Sequence, residues 1–250
     1  MNDSDEARRD ILAGKIHARL LMGMELQRKS RTDFFLNLSQ KSDEEKTNPL
    51  LNVLYQLLGP TGKLRELYEI LVTKEGKLYE MAAMITESGS DRQSIHADMP
   101  HHSEPPLYSI FAALQDITFE MGPTVFLPGT ISTKDQQEWS NLNGRDDFMK
   151  KRTPYFALLK AGDLIVYDPR VLHCGAANLS QSKRAMFNLG FRNPKFTGDM
   201  NYEGSLRPLY ADSITFGEFT KVLDTFDKYS NINPFKCYGD GINANTVSKA

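Results

Sequence analysis

Gly162-Asp163-Leu164-Ile165-Val166-Tyr167-Asp168-Pro169-Arg170-Val171-Leu172-His173 sets the grammar of this chain. A Gly-Asp turn opens the stretch, an apolar run too short for a helix follows, and Asp-Pro closes that run, so it reads as a strand. Runs of the same kind lie at Tyr108 to Leu114, Thr124 to Leu127 and Arg184 to Phe191, each bounded by turn residues. Short strands in succession, with no long helix between them, point to an antiparallel sandwich or barrel.

Outside this zone the spacing is helical. Ile11, Leu12, Ile16, Leu20, Leu21 and Met24 recur at three- and four-residue steps, the stripe of an amphipathic helix. Leu50, Leu51, Val53, Leu54, Leu57 and Leu58 form a second set that stops at Gly59-Pro60, and a third runs from Leu64 to Leu71. Late in the chain Phe216, Phe219, Val222, Leu223 and Phe226 predict one more helix. The expectation is one domain over residues 1–250, mainly β with helical decoration. Residues 1–90 are mainly helical support, 91–195 hold the β core, 196–230 a C-terminal helix region and 231–250 a polar tail.

Composition narrows the function classes. The chain has 250 residues with 30 Lys plus Arg against 32 Asp plus Glu, a net charge of -2, so there is no global basic field for nucleic acid. No stretch approaches the ~18 consecutive apolar residues of a spanning helix. The mixed-charge N-terminus is not expected to act as a secretory signal, and two cysteines, Cys174 and Cys237, without a CxxC pair fit a reducing compartment. The expected location is therefore the cytoplasm, since Ser248-Lys249-Ala250 matches a peroxisomal address only in its first two residues. Gly59-Pro-Thr-Gly62-Lys63 has the wrong spacing for a phosphate loop, and no Gly-x-Ser-x-Gly elbow occurs.

Five histidines remain, His17, His96, His101, His102 and His173. His17 reads as a surface or cap residue, and His101 and His102 as residues of a site mouth or of solvent. In Ser94-Ile95-His96-Ala97-Asp98 the His and Asp are two apart, so on an extended strand both project from one face and can share a metal. Such a pair alone is common by chance and needs a third ligand, for which His173 is the candidate. Eleven residues beyond His173, Arg184 opens an otherwise apolar strand; if buried it requires an anionic partner, which is either a dicarboxylate ligand or a structural carboxylate such as Asp163 or Asp168. On that strand Arg184, Met186 and Asn188 share one face while Ala185, Phe187, Leu189 and Phe191 share the other. Cys174 points away from the neighbouring histidine as a small packed residue.

Two histidines and a carboxylate form the facial triad of non-haem Fe(II) oxygenases. The segments Gln93-Ser-Ile-His96-Ala-Asp98, Met121-Gly-Pro-Thr-Val-Phe-Leu-Pro-Gly-Thr130, and Gly162-Asp163 through His173-Cys-Gly-Ala-Ala-Asn178-Leu-Ser180 to Arg184 resemble the phytanoyl-CoA dioxygenase (PhyH) family of iron- and 2-oxoglutarate-dependent oxygenases, over residues 80–192. The resemblance implies a double-stranded β-helix (jelly roll) packed against N-terminal helices. It implies His96, Asp98 and His173 as ligands of Fe(II), and Arg184 on the distal carboxylate of the cosubstrate 2-oxoglutarate, with O2 at the remaining metal position. Gln93 is a candidate cofactor-binding residue, the alternative being a strand-end cap. Ile131 and Ala176 stand where relatives carry His and Ser.

The implied reaction is hydroxylation of a small or lipid-like organic molecule with release of succinate and CO2. A non-catalytic ligand-binding jelly roll, or a metal-dependent isomerase or hydrolase on the same scaffold, are the other readings. The polar segment from Thr130 to Thr153, with Trp139 in it, is read as a long loop suited to a lid. Substrate identity and oligomeric state are not written in the sequence.

Overall fold

The computed structural model describes residues 18–19, 30–35, 49–99, 101–198 and 214–225. The amphipathic stretch around Ile11 to Met24, with His17, and the tail at 231–250 lie outside the described residues, as does much of 196–230.

The described part is mostly antiparallel β-structure with helices on its outside. In chain order the elements are β1 (Ala18–Arg19), β2 (Arg31–Phe35), α1 (Pro49–Leu58), α2 (Arg65–Val72), β3 (Leu78–Thr86), β4 (Leu107–Ala113) and β5 (Thr124–Leu127). There follow α3 (Thr133–Ser140), a 3-10 turn (Leu142–Gly144), α4 (Arg145–Lys150), β6 (Tyr155–Phe156), β7 (Leu164–Tyr167), β8 (Leu172–Gly175), β9 (Arg184–Arg192) and α5 (Phe216–Asp224). Among the described residues the large sheet runs β1-β2-β3-β9-β4-β7 and the small sheet β6-β5-β8. The segment around His96 adds to the free side of β8 through an antiparallel bridge to His173.

Alternation along the strands decides what faces what. Phe187, Leu189 and Phe191 of β9, with Ile110 and Ala112 of β4, join Leu54, Leu58, Tyr68 and Val72 of α1 and α2 and Phe216, Phe219 and Leu223 of α5 in one buried cluster. Tyr68, Phe191 and Phe216 meet ring to ring, with centroids 5.1 to 5.9 Å apart, and each buried aromatic of this kind contributes about 1.5–3 kcal/mol. The opposite faces of the same strands supply Met186, Phe111 and Ala113 to a second cluster between the sheets, with Phe126, Tyr167 and Val171. Helices therefore clothe the outer face of the large sheet, and the space between the sheets holds aromatic residues.

β3 corrects one expectation. Residues 1–90 read as mainly helical, yet Leu78–Thr86 is a strand in the middle of the large sheet. Its residues face helices on one side and the second sheet on the other, so all but three are buried and the two-residue alternation that marks a half-exposed strand is absent. Met, Ala and Glu in Leu-Tyr-Glu-Met-Ala-Ala-Met-Ile-Thr also favour helix intrinsically, and tertiary burial overrides that preference.

The Thr130 to Thr153 segment is likewise not a structureless loop. Ser132 caps α3 by accepting from the Asp135 N–H at 3.1 Å, and Asp135 pairs with Arg152 at the far end of the segment. Phe148 of α4 is buried against Leu127 and Leu172 on the outer face of the small sheet, with Trp139 and Met149 beside it. Low apolar content hid these short helices, because α3 buries none of its residues. At the opening turn Gly162 adopts φ +88°, a conformation that L side chains rarely take, and Asp163 closes the turn by accepting from the Lys160 N–H at 2.9 Å.

Candidate metal centre and anion pocket

The His96 segment and β8 meet through reciprocal backbone bonds, His96 N–H to the His173 carbonyl at 2.9 Å and His173 N–H to the His96 carbonyl at 2.8 Å. Gln93 N–H to Gly175 and Asp98 N–H to Pro169 extend the pairing on either side, at 2.9 and 3.0 Å. An antiparallel hydrogen-bonded pair puts its two side chains on one face, and the His96 and His173 rings are accordingly 4.6 Å apart. Asp98, two residues on, joins them. Its carboxylate oxygens lie 3.6 Å from His96 Nε2 and 3.4 Å from His173 Nε2. One ligand atom from each of His96, Asp98 and His173 falls within 4.8 Å of the other two.

Both imidazoles are oriented from behind. His96 Nδ1 lies 2.7 Å from the Ser94 carbonyl and His173 Nδ1 3.0 Å from the Val171 carbonyl. A carbonyl only accepts, so each Nδ1 carries a hydrogen; Nε2 then holds the lone pair of the neutral ring, or a proton facing Asp98 when the ring is charged. Burial lowers the His173 pKa below the ordinary histidine value, against the opposing charge of Asp98. For His96 burial also acts downward, but the hydrogen bond and charge of Asp98 outweigh it and raise the pKa. Two imidazole nitrogens and one carboxylate on a shared face, with no fourth His, Cys, Asp or Glu in the cluster among the described residues, fit a divalent iron centre with open positions.

Arg184 lies at the start of β9, buried to 1 % exposure, on the same face as Met186. Its Nη2 donates to Thr86 Oγ1 at 3.1 Å, while Nε and Nη1 have no hydrogen-bond partner. Burial and the nearby charge of Arg31 hold its pKa down to about 9. Neither structural carboxylate considered from the sequence reaches it: Asp168 pairs with Arg170, and Asp163 serves its own turn. Among the described residues no carboxylate makes a salt bridge with Arg184. A buried guanidinium in that state has donors to spare for an anion.

Two residues escaped the sequence reading. Arg31 of β2 is paired in register with Thr86 of β3, which is paired with Arg184 of β9, so one row across three strands carries Arg, Thr, Arg. Arg31 is buried, donates to the carbonyls of Asp91 at 3.2 Å and Ala176 at 3.4 Å, and its charge is felt at both Arg184 and His96. A Cβ on Gly175, two residues after His173, would lie 2.7 Å from Arg31 Nη1, so glycine there makes room for the guanidinium. The surrounding Arg-Lys-Ser-Arg-Thr-Asp reads as polar surface, and only strand pairing shows that Arg31 turns inward. Tyr167 is the other: it is buried between the sheets and its hydroxyl donates to Asp98 Oδ2 at 3.2 Å. Noting that Tyr167 shares a strand face with Ile165, in the run that leads to His173, would have flagged it.

The remaining candidates make other contacts. Gln93 uses its side-chain oxygen to accept the Gly175 N–H at 2.7 Å, which is the job of a strand-end tether. His101 bonds the Ile131 carbonyl through Nδ1 at 2.5 Å, and His102 stands edge-on to Phe196 with centroids 4.8 Å apart. Cys174 is fully buried on the face of β8 opposite His173. There it lines an apolar recess of about 250 Å³ with Val125, Leu127, Met149 and Phe156. No helix among the described residues is long and apolar enough to cross a membrane.

The epimerase SnoN from nogalamycin biosynthesis, solved with Fe3+, alpha ketoglutarate and nogalamycin RO, superposes with a TM-score of 0.50 at 18% identity, over 81% of this chain and 84% of that one. HygX from Streptomyces hygroscopicus, with nickel, 2-oxoglutarate and hygromycin B, gives 0.48 at 14% identity over 79% and 81% of the two chains. EvdMO1 gives 0.43 at 20% identity; the match covers 53% of this chain and only 30% of EvdMO1. No curated protein gives a significant match. The sequence profile of the phytanoyl-CoA dioxygenase (PhyH) family matches residues 8–186, most of the chain, and the chain belongs to that family.

Proposed function

We propose that this protein is an Fe(II)- and 2-oxoglutarate-dependent dioxygenase that hydroxylates a small or lipid-like organic molecule, releasing succinate and CO2. The observation that carries the proposal is the coexistence of the His96, Asp98, His173 cluster with the buried Arg184, two of whose guanidinium nitrogens lack a partner. A bare metal-dependent hydrolase or a simple binding module has no use for a buried cation at that place. A cosubstrate with a second carboxylate does. The proposal extends to one oxygenase domain built as a jelly roll: β3 to β9 are divided between two antiparallel sheets, with the His96 segment as an added edge of the small one.

In this reading neutral imidazoles of His96 and His173 and the Asp98 carboxylate hold the iron on one face. The iron, with cosubstrate and O2, supplies the oxidising power that breaks a substrate C–H bond. Arg184 binds the far carboxylate of 2-oxoglutarate in the fork geometry that guanidinium and carboxylate share, and the charge of Arg31 deepens the anion-attracting field. Phe111, Phe126 and Tyr167 form an aromatic wall against His173, with Phe126 and Tyr167 ring centroids 5.7 and 5.6 Å from the imidazole. That wall excludes water from one side of the centre. Near-neutral net charge and the cysteine-poor sequence support a small-molecule substrate and a cytoplasmic location.

The test is succinate formation by the purified protein with Fe(II), 2-oxoglutarate and O2, followed by exposure to a metabolite extract. Fe(II)-dependent succinate, abolished by His96→Ala, and a metabolite gaining one oxygen atom support the proposal. Turnover without O2 or 2-oxoglutarate refutes it. SnoN is an epimerase on a similar fold, so a product of unchanged mass would move the outcome from hydroxylation to rearrangement at the same C–H bond.

A further inference from the structure

We propose that Tyr167 is a positioning residue that fixes the Asp98 carboxylate for metal binding; this rests on the reading of Asp98 as an iron ligand. Asp98 follows the short edge segment of the small sheet and its side chain is about one third exposed, at 35%. A carboxylate at such a place rotates unless something holds its plane. Tyr167 ends β7 in the large sheet and reaches across the interior to donate to Asp98 Oδ2 at 3.2 Å. The bond therefore ties the metal-binding edge of one sheet to the body of the other.

The phenol has little freedom to leave. Its ring is packed against Phe111, Phe126 and His173, with centroids 4.8, 5.3 and 5.6 Å away. Its cross-strand partner on β4 is the buried Ser109. A hydrogen bond to an ionised oxygen is strong in a low-dielectric interior. With one lone pair of Oδ2 held by the phenol, Asp98 is biased toward offering a single oxygen to the metal, and part of its charge is neutralised. The same phenol touches His173 edge-on, so it fixes two of the three ligands at once.

A buried tyrosine needs a hydrogen-bond partner in any case, so the experiment must separate positioning from packing. Co(II), a coloured stand-in for Fe(II), is titrated into wild-type, His96→Ala and Tyr167→Phe proteins, and the metal-free forms are melted in parallel. Tyr167→Phe keeps the ring and loses one hydroxyl. The expected result is ~10- to 100-fold weaker Co(II) binding and an altered visible Co(II) spectrum, with the metal-free melting temperature little changed. Wild-type affinity and spectrum in Tyr167→Phe overturn the proposal while leaving the iron reading intact. If instead wild type and His96→Ala bind Co(II) equally, the iron reading itself fails. Should Tyr167→Phe not fold, 3-fluorotyrosine at position 167 takes its place: the ring stays in position and the phenol becomes a stronger donor. A shifted Co(II) spectrum there supports the proposal, and an unchanged spectrum overturns it.

Discussion

His96 and His173 exchange both backbone hydrogen bonds, at 2.9 and 2.8 Å, although 76 other residues separate them in the chain. The clustering of His96, Asp98 and His173 is therefore a product of strand pairing, because the backbone register brings their side chains to one face. His96→Ala is accordingly expected to abolish divalent-metal binding while changing metal-free stability by no more than ~1 kcal/mol, since His96 is partly exposed and its backbone bonds survive. Equilibrium metal titration and chemical denaturation check the two halves separately.

Arg184 makes the opposite kind of expectation. A buried guanidinium with one hydrogen bond to Thr86 is costly to the fold, and apolar replacement of buried charges is commonly neutral or stabilising by ~1–4 kcal/mol. Arg184→Met is expected to raise the melting temperature of the metal-free protein and to weaken 2-oxoglutarate by at least tenfold, about 1.4 kcal/mol or more. Arg184→Lys keeps the charge without the fork and is expected to restore only part of the affinity. Thermal melting and the cosubstrate KM together test this; a destabilised Arg184→Met with unchanged KM would speak for a purely structural arginine.

The pH dependence follows from the two histidines. His96 has a raised pKa, so its protonated form stabilises the metal-free fold; that contribution is full below the unfolded value near 6.5 and is lost as pH rises through the raised folded value. His173 has a lowered pKa, so its neutral form is preferred in the fold, and it destabilises the protein as pH falls below the unfolded value toward the folded one. Metal needs both rings neutral. Affinity for Fe(II) or Co(II) is expected to climb as pH rises from ~6 to ~8, with release of a proton that comes chiefly from His96. His96→Ala cannot show this slope; the check is metal affinity of wild type at several pH values together with direct measurement of proton release.

Gly175→Ala tests the packing that seats Arg31. The added methyl would lie 2.7 Å from Arg31 Nη1 and 2.8 Å from Gln93 Oε1, so both side chains must give way. Overpacking of this kind costs ~1–3 kcal/mol. The expected outcome is that loss in chemical denaturation together with weaker 2-oxoglutarate binding, because displacing Arg31 weakens the positive field around Arg184. Unchanged cosubstrate affinity would confine Arg31 to a structural part.

The α3 and α4 segment is expected to resist protease equally with and without iron, cosubstrate and substrate, because Phe148 anchors it under Leu127 and Leu172. Phe148→Ala should cost ~3–5 kcal/mol and release the segment to cleavage. Limited proteolysis with fragment masses reads both.

How much of this was legible beforehand depends on how each residue signals its partners. β4, β5, β7 and β9, and the helices α1, α2 and α5, stand within a residue or two of their expected bounds, because each has a period or a turn residue that marks it. The clustering of His96, Asp98 and His173 and the burial of Arg184 were legible because residue type, spacing and the strand context coincide. β3 was not, since burial on both faces erases its alternation. Arg31 and Tyr167 were not, because their importance lies in register: Arg31 opposite Thr86, and Tyr167 across the interior from Asp98. α3 was hidden by having no buried face to announce it.

Anaerobic titration of Fe(II) into the wild-type protein and into His173→Ala bears most directly on the central claim. One iron bound per wild-type chain, and loss of that binding in the variant, is the expected result. Equal binding by both proteins, or none by the folded wild type, would contradict it.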